Sequence, residues 1–130
     1  MWLEKVAEEL DVPVDEAWEW VPHTDEDLSG LDKLVDFGSL ITALLAKEVE
    51  KRTGISVWPI FAEDSTLMED NTILLLAELD GLKVAILHYW FKAWHVYFKT
   101  REEFEKWMDS LLNEALENLE KAKERVGVGS

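Results

Sequence analysis

The chain has 130 residues, the size of one domain, and carries 28 acidic against 13 basic residues for a net charge of −15. That balance disfavours direct nucleic-acid binding and anionic membrane surfaces, since no basic stripe exists to displace counterions; a basic protein is the natural partner. The absence of Cys removes disulfides, zinc–thiolate sites and thiol chemistry, and no apolar run approaches the roughly 20 residues of a membrane span.

The charge is uneven along the chain. Eleven of the first 32 residues are acidic and only Lys5 opposes them, so this quarter holds −10 of the total. The acids are interleaved with Trp2, Trp18 and Trp20, a mixture that attracts cations and offers apolar anchors. Trp2 to Leu10 reads as a short helix with Trp2, Leu3, Val6, Ala7 and Leu10 on one face. Pro13 suits the first turn of a second helix over Val14 to Val21, and Pro22 ends it. Val6 to Val21 has the outline of a helix-turn-helix unit, but its second helix would face phosphates with carboxylates, so the pair is read as structural. Residues 1–30 are expected to form an acidic helical extension packed on the body, ending in a polar connector from His23 to Gly30.

The body is expected over 31–126. Leu34, Val35, Leu40, Ile41, Leu44, Leu45 and Val49 give a helical stripe with a break at Gly38-Ser39, and Gly54 suits the position after its end. Ile55 to Phe61 contains Pro59, which cannot donate to a ladder and marks an edge strand. An acidic loop over Ala62 to Asn71 leads to three further strands, Thr72 to Leu79, Leu82 to Trp90 and Ala93 to Lys99. Asp80-Gly81 is a two-residue hairpin signal that places Glu78 opposite Lys83. Thr100 with Glu103 is a capping box opening a last helix lined by Phe104, Trp107, Met108, Leu111, Leu112, Ala115, Leu116 and Leu119. The expected fold is α+β: a four-stranded antiparallel β-meander between two helices, with a short acidic two-helix N-terminal extension and a frayed tail over 127–130.

In that meander Leu74, Leu76, Ala85, Leu87, Trp94, Val96 and Phe98 share the core face. The opposite face carries Ile73, Leu75, Ala77, Val84, Ile86, His88 and Trp90, and both are too apolar to meet water. The second face is therefore expected to be covered by the N-terminal helices, by the long C-terminal helix, or by another subunit in a homodimer through the sheet.

Three functions fit. The first is a non-enzymatic interaction module, a regulator or inhibitor docking on a basic partner through Glu16, Trp18, Glu19, Trp20, Asp25, Glu26 and Asp27. In its sharper form the carboxylates mimic a nucleic-acid backbone. The second is a small enzyme or ligand-binding protein. A turn at Phe91-Lys92 would set His88 opposite His95, with Tyr97 and Trp90 beside them. Neither Phe nor Lys favours such a turn, and no third metal ligand follows on that face. The third is a structural subunit of a thermophile, since Gln is absent, Asn is scarce, and Glu and Lys abound. Glu63, Asp64, Glu69 and Asp70 flank a loop whose spacing matches no EF-hand. No cofactor, metal or catalytic residue is assigned. The acidic N-terminus lacks the regions of a signal peptide, so a cytoplasmic location is expected.

Overall fold

A computed structural model describes residues 1–28, 30–63 and 70–126. The tail over 127–130 and most of the acidic loop lie outside the described residues. Helices α1 (Trp2–Leu10), α2 (Val14–Trp20) and α3 (Leu31–Thr53) precede strands β1 (Val57–Glu63), β2 (Asn71–Leu79) and β3 (Leu82–Phe91); helix α4 (Arg101–Val126) closes the chain. The α+β class holds, with a three-stranded antiparallel sheet in the order β1-β2-β3.

The N-terminal helices are built into the body. Trp2, Leu3, Val6 and Ala7 are buried on the inner face of α1, which packs on α2, α3 and α4. The first N–H groups of a helix have no partner within it, and here α4 supplies one. Glu105 accepts from the Trp2 and Leu3 amides at 2.7 and 2.8 Å, and Asp109 accepts from the Trp2 indole at 2.8 Å. A carboxylate at that end also meets the positive pole of the helix dipole. Further ties are the Glu9–Lys47 and Asp15–Arg101 pairs, both at 2.7 Å.

Helix α3 runs unbroken through Gly38. The glycine is there for a close approach: a Cβ at that position would overlap the Phe61 ring of β1. Gly54 ends the helix at φ 74°.

The β2–β3 hairpin turns at Asp80 and Gly81, both at positive φ, and Glu78 pairs with Lys83. Along β2 and at Val84 and Ala85 the faces are the reverse of the expected ones, whereas Leu87 is buried and His88 and Trp90 lie on the opposite face as expected. A bulge between Leu75 and Leu76 breaks the alternation on β3, so that Ile86 and Leu87 are both buried. Ile73, Leu75, Ala77 and Leu79 lie on the core face, under α3 and α4. Leu74, Leu76, Ala85, His88 and Trp90 share the other face with Trp58 and Ile60.

The fourth strand does not form. Ala93–His95 is a single 3-10 turn, and the extended residues after it hydrogen-bond to the N-terminal connector instead of to β3. The Phe98 amide donates to the Pro22 carbonyl at 2.9 Å, and His23 Nδ1 lies 3.1 Å from the Phe98 carbonyl. Val96 and Phe98 are buried while His95 and Tyr97 are exposed, so the strand-like alternation is real but its hydrogen-bonding partner is elsewhere. His88 accordingly faces Leu74 across the ladder, and no hairpin sets it against His95.

Candidate functional site

Where α2 meets the connector and α3, a half-open cavity of about 310 Å³ faces solvent. Trp20 and Phe37 form its aromatic wall, their ring centroids 5.4 Å apart, and Val21, Pro22 and Leu28 supply further apolar lining. Its polar groups are Glu19, Asp27, Asp36 and Lys33, three carboxylates against one ammonium.

Each part is held from behind. Phe37 packs on Trp107 of α4 at 6.3 Å. Trp107 in turn meets Phe98 at 5.1 Å and donates its indole N–H to the Tyr89 hydroxyl at 3.2 Å. His23 closes the connector. Its Nε2 lies 2.9 Å from the Trp18 carbonyl and its Nδ1 faces that of Phe98, so the ring bridges α2 to the segment before α4. Only an imidazolium can donate to both carbonyls; a neutral ring donates to one. The Trp18 ring packs edge-on against it at 4.2 Å.

Asp27 accepts the His23 amide and the Thr24 amide, an arrangement that fixes the pocket rim. Its carboxyl titrates below the usual Asp value: the His23 amide is the largest cause, burial opposes it next, and the Thr24 amide and hydroxyl and the His23 ring add to the lowering. A lowered folded value means that Asp27 stabilises the fold above the ordinary Asp pKa and loses that contribution as pH falls through the lowered one. Comparing the urea midpoints of the wild type and Asp27→Asn from pH 7 downward should show a gap that holds to about pH 4 and closes below it. A gap that does not change with pH would contradict this role.

The structure divides the expected partner-binding residues. Glu19, Trp20 and Asp27 come together at the pocket, whereas Glu16, Asp25 and Glu26 are exposed outside its lining. Trp18 is half-buried against His23. Glu16, Glu19, Asp25 and Glu26 have no ion-pair partner among the described residues. Lys33, Asp36 and Phe37 are not among the expected site residues; they lie within α3, and no local motif in the sequence marks them. Of the other expected pocket, His88, Trp90, His95 and Tyr97 are all exposed, with His95 on the 3-10 turn beside Trp94. Among the described residues no three His, Asp or Glu groups are placed to hold a metal ion. None of their helices is long and apolar enough to cross a membrane.

No protein-family model, curated protein or solved structure matches the chain.

Proposed function

We propose that the chain is a non-enzymatic interaction protein whose acidic N-terminal module takes an Arg or Lys side chain of a basic partner into the pocket walled by Trp20 and Phe37. The pocket carries this reading: it puts carboxylates and aromatic faces around a space large enough for such a side chain. An aliphatic stem can lie on the rings while its charged head reaches Glu19, Asp27 and Asp36. The unpaired acids Glu16, Asp25 and Glu26 extend the field around the mouth and speed encounter. A regulator or inhibitor works in this way, and imitation of a phosphate backbone is the form in which the partner is itself a nucleic-acid-binding protein. The reading involves no catalytic step and no cofactor. It takes the protein to act in the cytoplasm.

Hexa-arginine is a suitable probe. Glu19→Lys combined with Asp36→Lys changes two exposed side chains, so melting should hold while affinity for the peptide falls at least about tenfold. Equal binding by the double variant would return the acidity to thermal adaptation.

A further inference from the structure

The sheet has one face with nothing described above it. Helices α3 and α4 both pack on the Ile73–Leu75–Ala77 side. The other side presents rows of cross-strand neighbours: Trp58 with Leu76 and Ala85, Ile60 with Leu74 and His88. Trp58, Ile60 and Trp90 are 49%, 40% and 51% exposed, high for large apolar side chains on a sheet face. We propose that a second copy of this chain covers this face, stacking sheet on sheet about a two-fold axis with the helices outside. The proposal is independent of the N-terminal pocket, and either can fail without the other.

Charge selects the occupant. The chain carries −15, yet the charged side chains described on the open face are Glu78, its cross-strand neighbour Lys83 with its ammonium 4.3 Å over the Trp58 ring, and Lys92 over the Trp90 ring at 5.6 Å, so this face lacks the acidic excess. A basic partner therefore finds little to attract it here, whereas two strongly acidic copies find the surface where contact repels least. The acidic helix α1 packs on the helical layer, so stacking through the sheets leaves the two N-terminal modules on opposite outer sides. Like-charge repulsion between them is then weakest, and screened at physiological salt.

The edges favour the face over a continued sheet. On β1, Pro59 removes a donor from the outer strand. On β3 the bulge interrupts the ladder, and Asn118 of α4 donates to the Ile86 carbonyl at 2.8 Å. Both edges are thus blunted against pairing with another strand.

Size is consistent with a modest dimer. Three strands about 4.8 Å apart, with seven or more residues each, make a face of roughly 15 by 25 Å. Half of each of two Trp side chains supplies about 200 Å². Adding Ile60, Leu74, Leu76 and Ala85 brings the patch to the few hundred Å² that mark the upper range for monomers. With its polar rim it approaches the roughly 800 Å² per partner of a standard interface, which suits dissociation in the micromolar range.

Sedimentation of the full chain from low micromolar to millimolar concentration tests the proposal. The wild type should double its mass across that range. Ile60→Lys puts two ammonium groups into the apolar centre of the interface and should raise the dissociation constant at least about tenfold. It also lowers the net negative charge, so increased overall repulsion cannot explain a loss. Asp25→Asn makes the same charge change away from the sheet and should leave dimerisation intact. Thermal melting verifies the fold of each variant, and Trp90→Thr, a strand-compatible change at an exposed position, stands in if Ile60→Lys does not fold. A wild type that stays monomeric throughout would overturn the proposal, as would a folded face variant that dimerises normally.

Discussion

Replacing Trp107 by Ala should cost about 3 kcal/mol of stability and lower the melting temperature by roughly 10 °C. Trp107 joins four aromatic neighbours from different parts of the chain: Phe37 of α3, Tyr89 of β3, Phe98 before α4, and Phe104 within α4. Truncation removes the ring contacts and leaves the Tyr89 hydroxyl without its donor. It also withdraws the support behind Phe37, so affinity for a cationic peptide should fall together with stability. Trp107→Phe keeps most of the packing and should cost clearly less. Urea unfolding followed by circular dichroism measures both. A loss under about 1 kcal/mol for the Ala variant would mean that the aromatic cluster does not join the layers as described.

The second large effect concerns the N-terminal module as a whole. Deleting residues 1–28 should abolish cooperative unfolding rather than release a folded body. Trp2, Leu3, Val6, Ala7, Ala17, Val21 and Leu28 are all buried in the same cluster as α3 and α4. At about 1.5–3 kcal/mol for each larger side chain, their gross burial is comparable to the entire net stability of a small domain. The deletion also leaves Glu105 and Asp109 without the donors they serve, and takes Pro22 and His23 from Phe98. Near-ultraviolet circular dichroism and a thermal melt would show the outcome. A sharp transition with native-like aromatic signals in the 29–130 chain would contradict it. Point substitutions on the pocket rim are accordingly the proper probes of function.

The parts of the fold legible in the sequence are those whose determinants are local. Periodicity places Trp2–Leu10 and Arg101–Val126, and Asp80-Gly81 fixes a hairpin register because both residues accept positive φ. Distant partners defeat the same reasoning. Val96 and Phe98 alternate with exposed neighbours as a strand would, but the carbonyl that takes the Phe98 amide belongs to Pro22. A single bulge, with Ile86 as the extra residue, is enough to put β2 on the opposite face from the one expected beside Leu87, since side chains alternate with period two. Half of the candidate pocket was readable from charge and aromatic content at Glu19, Trp20 and Asp27. The other half, Asp36 and Phe37, reaches it only through the crossing of α3 beside the connector. The acidic excess of residues 1–32 is also partly offset by cations remote in sequence. Lys47 and Arg101 pair with Glu9 and Asp15, while Glu16, Glu19, Asp25 and Glu26 have no such partner among the described residues.

The most direct test of the central claim is to follow the Trp indole N–H signals by NMR during a hexa-arginine titration at low and high salt. Capture of an Arg side chain in the pocket walled by Trp20 and Phe37 predicts that the Trp20 signal moves first and saturates. The exposed Trp58, Trp90 and Trp94 signals should stay in place, and added salt should weaken the response. A saturating shift at Trp58, Trp90 or Trp94 with Trp20 unmoved would place binding on the sheet side and contradict the account, as would salt-insensitive binding at Trp20.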